Sequence, residues 1–378
     1  MLAVKNAYLA LLTARAKSVD LDKRVCYLLS FADNDGGAIE GLYQQYGANF
    51  LLAYTPQMAE VAASYGVKGV TITPFTLRKL VLGSAWQKIA RCQVIIADNY
   101  YPELAALSQP QRKIIQIWHA TGALKAFGWQ DPKTKQRSQA DQARFQKVYD
   151  SLTDIVVGSR AMGEVFTAAY HINPNRLRYL GAPRTDALQP TKTPKTQSEA
   201  SSILYVPTYR DSLAEMQAVL TAAFTAFSAS DKQVLVKLHP HLAQQLRDLP
   251  TPKNVQLVTA DLAALFDQSA YLVTDYSSCV FDFLLRRPEQ GFCLYCPDVD
   301  HYAATTGLQP DFKASWQPWL VQTSEELTAK LQGPYQLRDG ASEKLLLAQQ
   351  ALSHKWHEYN TGQARAQLVD LVADYLQA

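Results

Sequence analysis

The sequence predicts an α/β protein made of two parallel-sheet domains, and three observations carry that prediction. Short, almost wholly apolar runs recur along all 378 residues and alternate with helix-length segments. One long stretch rich in Pro, Thr and Ser divides the series into two halves. No internal repeat or low-complexity segment competes with this organisation.

The N-terminal segment comes first, with Leu2, Val4, Tyr8, Leu9, Leu11 and Leu12 beside Lys5, Arg15 and Lys17. Its apolar run is too short to span a bilayer, and no signal-peptide cleavage pattern follows. Two readings stay open: a helix lying on a membrane surface, or a first helix packed on a core. The apolar runs 25–29, 50–53, 70–72, 94–97, 114–118 and 155–157 then read as strands of one sheet. The runs 203–206, 234–238, 255–258, 271–274 and 292–295 read as strands of a second. Continuous apolar runs fit strands covered on both faces, and strands alternating with helices imply right-handed crossovers. Two Rossmann-like halves facing a central cleft are expected. The domains fall at 1–188 and 203–378, joined by a linker at 189–202, QPTKTPKTQSEASS, with the C-terminal helices placed to pack back on the first domain.

Composition excludes several function classes. At 48% hydrophobic the chain can bury sizeable cores. Residues 1–185 hold 22 Lys and Arg against 13 Asp and Glu, whereas residues 186–378 hold 15 against 21. A basic first half suits an anionic membrane surface or a diphosphate-bearing acceptor. Its basic residues are scattered and accompany no nucleic-acid motif, so no nucleic acid is expected. Five cysteines, an odd number set mostly in apolar runs, argue against a disulfide framework and for a reducing compartment. Cys293 and Cys296 lack a second ligand pair, and the acidic pairs Asp33/Asp35 and Asp298/Asp300 are short enough to arise by chance. No protein-bound metal and no tightly bound cofactor is expected, although Mg2+ can accompany a nucleotide in solution. The glycines 36 and 37 do not make a dinucleotide fingerprint.

The chemistry-bearing residues stand at strand exits. His119 follows the run 114–118 in QIWHATGALKAFGW. His239 and Pro240 follow the run that contains Lys237. In LVTDYSSCVFDF, Asp275 ends a strand while Ser277 and Ser278 open a helix, whose free N–H groups and dipole favour an anion. Arg184 in GAPRTD and Arg210 in YVPTYRD could each grip phosphate oxygens with two donors.

The ordered set SFADND, QIWHATGALKAFG, GAPRTD, YVPTYRD, KLHP, TDYSSCVFDF and YNTGQAR resembles the CDP-glycerol glycerophosphotransferase family of teichoic acid synthesis, over most of the chain. WHATGALKAFGWQDP, RSQADQARFQKVYD and VVGS are closest to its glycerol-phosphate primases. The resemblance implies a GT-B architecture and a peripheral enzyme on the cytoplasmic face of the cell membrane of Gram-positive bacteria. It implies transfer of glycerol phosphate from CDP-glycerol to an undecaprenyl-diphosphate-linked disaccharide of N-acetylmannosaminyl-N-acetylglucosamine type, with release of CMP, as the priming step. His119 becomes the general base of the acceptor domain, and His239 acts at the donor phosphates. Arg184, Thr208, Arg210, Lys237, Pro240, Asp275, Ser277 and Ser278 become substrate-binding residues, and Asp282 a buried tie for its loop. Thr305, Thr306 and Gly307 stand where relatives often have Arg-Gly, and Thr185 replaces an Asn, which leaves a ribitol donor open. The alternatives are a poly(glycerol phosphate) or ribitol-phosphate polymerase of the same family, or a nucleotide-sugar glycosyltransferase. Oligomeric state is not legible.

Overall fold

The computed structural model describes residues 2–190, 202–238, 240–246, 248–333, 335, 337 and 342–377. The chain forms two compact units. Unit 1 comprises residues 1–121, 134–187 and 357–378, and unit 2 comprises 122–133 and 188–356. The sequence reading placed 122–133 in the first domain, but these residues pack within unit 2. Most of the expected linker lies outside the described residues.

Unit 1 holds seven strands: β1 Asp22–Leu29, β2 Phe50–Tyr54, β3 Thr71–Pro74, β4 Cys92–Ala97, β5 Lys113–Gln116, β6 Asp154–Val156 and β7 Leu177–Arg178. They pair in parallel in the order β3-β2-β1-β4-β5-β6-β7, with Cys26 opposite Leu51 on one side and Ile95 on the other. β5 stops two residues short of the predicted run because Trp118 takes a left-handed φ of 58°, which no strand tolerates. Leu368, Val372 and Leu376 of the helix Ala364–Gln377 are buried in the core of this sheet. Each such side chain contributes about 1.5–3 kcal/mol.

The YNTGQAR segment is what seats that helix. The Asn360 side chain accepts a hydrogen bond from Ala182 N at 2.9 Å, and Tyr359 N donates to Gly158 O at 2.9 Å. Asp186 accepts from the N–H groups of Ala364 and Arg365 at 3.1 and 2.8 Å, capping the helix start. Gly181 takes φ 82°, and a Cβ there would lie 2.5 Å from Tyr359 O.

The first helix, Leu2–Lys17, packs on unit 1. Leu12 and Ala16 are buried, and Trp86 Nε1 donates to Leu12 O at 2.8 Å. The Arg15 guanidinium donates to the carbonyls of Leu80, Val81 and Gly83, terminating the short helix Leu77–Val81. Arg15 is thus a structural cation rather than one reserved for lipid. Among the described residues no helix is long and apolar enough to cross a membrane.

Unit 2 holds six strands: β8 Ser202–Val206, β9 Val234–Val236, β10 Val255–Leu257, β11 Ser269–Thr274, β12 Gly291–Tyr295 and β13 Leu320–Val321. All pair in parallel in the order β10-β9-β8-β11-β12-β13. Residues 122–126 join this unit by chain pairing: Gln309 N donates to Leu124 O at 2.8 Å and Ala126 N to Gly307 O at 3.1 Å. Gly122 is required there, since a Cβ would come 2.7 Å from the Phe281 ring.

Candidate active site

In each sheet the strand order reverses once, between β1 and β4 in unit 1 and between β8 and β11 in unit 2. Neighbouring strands at such a point send their crossovers to opposite faces, leaving a crevice beyond their C-terminal ends where ligands bind. His119 lies near the first of these places, and Thr208, Arg210, Asp275, Ser277 and Ser278 lie at the second.

In unit 1, Ser30 follows β1, Asp98 follows β4 and His119 follows β5. Asp98 is fully buried, and its carboxylate accepts from Ser30 N at 2.8 Å, Ser30 Oγ at 2.8 Å, Phe31 N at 3.0 Å and Tyr101 Oη at 3.0 Å. Burial pushes the Asp98 carboxyl above its ordinary range, although these donors favour the anion. The Asp98 backbone carbonyl lies 3.1 Å from His119 Nδ1. A carbonyl can only accept, so Nδ1 carries the proton and Nε2 the lone pair of the neutral ring. The imidazole stacks between Phe31, at 4.2 Å, and Trp118, at 4.1 Å. Trp118 keeps its left-handed backbone because Asn34 Nδ2 donates to its carbonyl at 2.6 Å and its indole lies edge-on to Phe166 and Tyr170. Arg184 Nη1 donates to His119 O at 2.8 Å. Arg184 thus belongs to unit 1 and holds the backbone carbonyl of His119.

In unit 2, Arg210 is buried and bridges two carboxylates. It donates from Nε and Nη2 to Asp298 at 2.7 and 3.1 Å, and from Nη1 to Asp275 at 2.9 Å and to Thr208 O at 2.7 Å. Its guanidinium lies over the rings of Tyr276 and Tyr302, at 5.0 and 5.1 Å, which stack on each other at 3.8 Å. Burial alone would lower the Arg210 pKa, but the two carboxylates raise it above the ordinary value. Burial likewise opposes the Asp298 anion, yet the hydrogen bonds and charge of Arg210 hold its carboxyl below the usual range. The expectation that Arg210 grips phosphate is corrected: it holds the site together, with its donors engaged by Asp275, Asp298 and Thr208.

Asp275 has the same character. It accepts from Thr208 N at 2.8 Å and Tyr276 N at 2.6 Å as well as from Arg210, so it orients the loop. Lys237 donates to Ala260 O at 2.6 Å. Thr208 Oγ1 is buried with no hydrogen-bond partner among the described residues. Ser277 Oγ accepts from Cys279 N at 3.3 Å, whereas Ser278, at the start of the helix Cys279–Arg286, makes no side-chain cap bond. Both serines are half-buried. Asp282 is buried in that helix. Pro240 opens the helix Pro240–Gln245, and His239 lies outside the described residues.

The acidic pairs have individual tasks. Asp35 accepts from Gly37 N and Ile39 N at the start of a helix, and Asp300 pairs with Lys313 at 2.6 Å. Among the described residues no cluster of three or more His, Cys, Asp or Glu could hold a metal ion, and all five cysteines are buried thiols. Sequence reading missed Asp98 and Tyr276 and set Asp298 aside as half of a chance acidic pair. A carboxylate or tyrosine at a strand exit beside a reversal of strand order is the signal that would have found them.

A family model described as CDP-Glycerol:Poly(glycerophosphate) glycerophosphotransferase matches residues 51–374. The teichoic acid glycerol-phosphate primase of Bacillus subtilis (strain 168) is 29% identical over 390 residues, covering 98% of each chain. That of Bacillus spizizenii (strain ATCC 23059 / NRRL B-14472 / W23) is 31% identical over 381 residues, covering 94% of this chain and 93% of its own. The solved structure of the wall teichoic acid polymerase TagF superposes with a TM-score of 0.73 at 17% identity, covering 99% of this chain and 94% of that one, which assigns a GT-B-like fold. With the family model spanning most of both units, the chain belongs to the CDP-glycerol:poly(glycerophosphate) glycerophosphotransferase family.

Proposed function

We propose that the protein transfers glycerol phosphate from CDP-glycerol to a hydroxyl of an undecaprenyl-diphosphate-linked disaccharide, releasing CMP, as a teichoic acid primase. The observation that carries the reading is His119, whose Nδ1 donates to Asp98 O and whose Nε2 is thereby left with the basic lone pair. The acceptor hydroxyl oxygen attacks the glycerol-bearing phosphorus. Its proton passes to His119 Nε2, and the bond from that phosphorus to the bridging oxygen of CMP breaks. Such a base contributes roughly 100- to 10,000-fold.

The donor phosphates are assigned to Ser277, Ser278 and the first turn of the helix Cys279–Arg286, where N–H groups and the dipole favour negative charge. The unpartnered Thr208 hydroxyl supports a polar ligand beside them. From the sequence alone, His239 is assigned to the departing CMP side. The near full-length likeness to two glycerol-phosphate primases supports priming over polymerisation.

A membrane-facing surface is assigned to the region around the helix Leu77–Val81. Leu77 and Leu82 are 65% and 80% exposed, close in sequence to the exposed cations Arg78 and Lys79. Apolar and basic side chains together suit an anionic bilayer surface. The proposed contact uses Leu77, Leu82, Arg78 and Lys79, because Arg15, one of the three cations Lys5, Arg15 and Lys17 considered for it, is engaged by backbone carbonyls.

Incubating the protein with CDP-glycerol and a synthetic lipid-linked disaccharide, then weighing the product, tests the reaction. One added glycerol phosphate with CMP released is expected. A ladder of additions makes the protein a polymerase, and release of a nucleoside diphosphate overturns the reading.

A further inference from the structure

The SFADND segment is absorbed by none of the roles above, yet it closes on the base from one side. It follows β1 and runs from Ser30 to Asp35 within unit 1. Carboxylates tie both of its ends. At the front Asp98 accepts from Ser30 N, Ser30 Oγ and Phe31 N, and at the back Asp35 accepts from Gly37 N and Ile39 N, each at 3.1 Å. Gly36 then takes φ 55°, and a Cβ there would lie 2.0 Å from Pro183 O, so the chain sits directly on the turn that carries Arg184.

Four contacts from this framework reach Trp118 and His119. Phe31 stacks on the imidazole at 4.2 Å with 23° between the ring planes, and Asn34 Nδ2 donates to Trp118 O at 2.6 Å. Arg184 Nη1 donates to His119 O at 2.8 Å, and Asp98 O lies 3.1 Å from His119 Nδ1. The Phe31 side chain is not fixed by burial, since the residue is 37% exposed; its backbone is fixed by the Asp98 carboxylate. Asp98 itself is fully buried and anchored by Tyr101 Oη at 3.0 Å, a hydroxyl that also lies 3.3 Å from Leu28 O of β1. One residue thus meets the imidazole along two paths, at its edge through a carbonyl and at its face through a carboxylate and Phe31. An imidazole free to rotate about χ2 would exchange its two nitrogens, and misplacement of a reacting group by about 1 Å can cost roughly 100-fold.

We propose that Asp98 is the positioning residue of the base: its carbonyl sets the His119 tautomer, and its carboxylate, acting through Ser30 and Phe31, sets the plane of the ring. The proposal rests on the reading of His119 as the base. It gives the SFADND segment the task of a clamp on that histidine.

The test reads the ring directly. In protein labelled with 15N-histidine and held where imidazole is neutral, the ring-nitrogen spectrum gives each tautomer, and the His119 signals are those missing from His119→Ala. The wild type should carry its proton on Nδ1. Asp98→Ala should show both tautomers and a kcat, read by CMP release, about 10- to 100-fold lower, with the Kd for CDP-glycerol within about twofold. Asp98→Asn, which still accepts from the N–H groups of Ser30 and Phe31, should keep the Nδ1 tautomer and recover most of the turnover. A single Nδ1 tautomer in Asp98→Ala, no recovery in Asp98→Asn, or donor affinity lost in step with turnover overturns the proposal. So does a wild-type ring protonated on Nε2. If Asp98→Ala does not fold, Phe31→Ala decides, because it cuts the face contact at an exposed ring: greater mobility of the His119 ring in 15N relaxation upholds the proposal, and wild-type relaxation overturns it. If the wild type transfers no glycerol phosphate, the function proposed above falls, while the tautomer spectra still decide the role of Asp98.

Discussion

The two points of strand reversal handle a buried carboxylate in opposite ways. Asp98 of unit 1 is surrounded by neutral donors from Ser30, Phe31 and Tyr101, whereas Asp275 of unit 2 is paired with the cation Arg210, which also holds Asp298. The first arrangement turns Nδ1 of the His119 imidazole to a backbone carbonyl, which sets its tautomer. The second sets one buried guanidinium between two carboxylates, which ties the strand-exit loops together. On the function proposed above, the same topology serves proton removal at one site and phosphate binding at the other.

The largest effect expected from breaking this contrast is on turnover. His119→Ala should lower kcat by roughly 100- to 10,000-fold with CDP-glycerol affinity nearly intact, while His239→Ala should weaken donor binding as well. CMP-release rates beside calorimetric Kd values check this, and donor affinity lost in His119→Ala would remove the division of labour. Next, Arg210→Leu leaves two carboxylates facing each other and should cost about 3–5 kcal/mol in urea denaturation of the protein. A cost under 1 kcal/mol would mean that Arg210 does not hold the loop.

A smaller effect separates the carboxylates by pH. Asp298 is held below its ordinary value of 3.8, so its contribution is present above that pH and is lost as pH falls through the folded value. Asp98 is raised above 3.8, so its contribution is fully present at lower pH and is lost as pH rises through its folded value. Asp298→Asn should therefore flatten the stability profile below about pH 4, and Asp98→Asn above it, as read by denaturation across pH. Identical profiles for the two variants would erase the contrast.

Most strands were legible because parallel strands covered on both faces leave long apolar runs, as in β1, β4 and β11. The strands β7 and β13 are two residues long and leave no periodicity to read. The passage of 122–133 into unit 2 was hidden because GALKAFGWQDPK has no linker composition. What places it there is the fit of Gly122 on Phe281, a contact 159 residues away in sequence. His119 was readable as a strand exit. Arg210 was misread because its partner Asp298 lies 88 residues downstream, and an arginine near a turn looks the same whether it faces phosphate or a buried carboxylate. The contact of Arg184 with His119 O was unreadable for the same reason, the carbonyl lying 65 residues upstream.

The seating of the helix Ala364–Gln377 in unit 1 sets an order of events during synthesis. Leu368, Val372 and Leu376 complete a core whose other residues all precede residue 181, so that core stays open until the ribosome has made them. At roughly 5–20 residues per second, the interval between residue 187 and residue 364 is about 9 to 35 s. Unit 2, complete at residue 356, is in hand first. The base-bearing half of the protein is therefore the last to close, and an early stop before residue 364 yields a chain whose second half can fold while the first half still exposes its apolar sheet to chaperones and proteases.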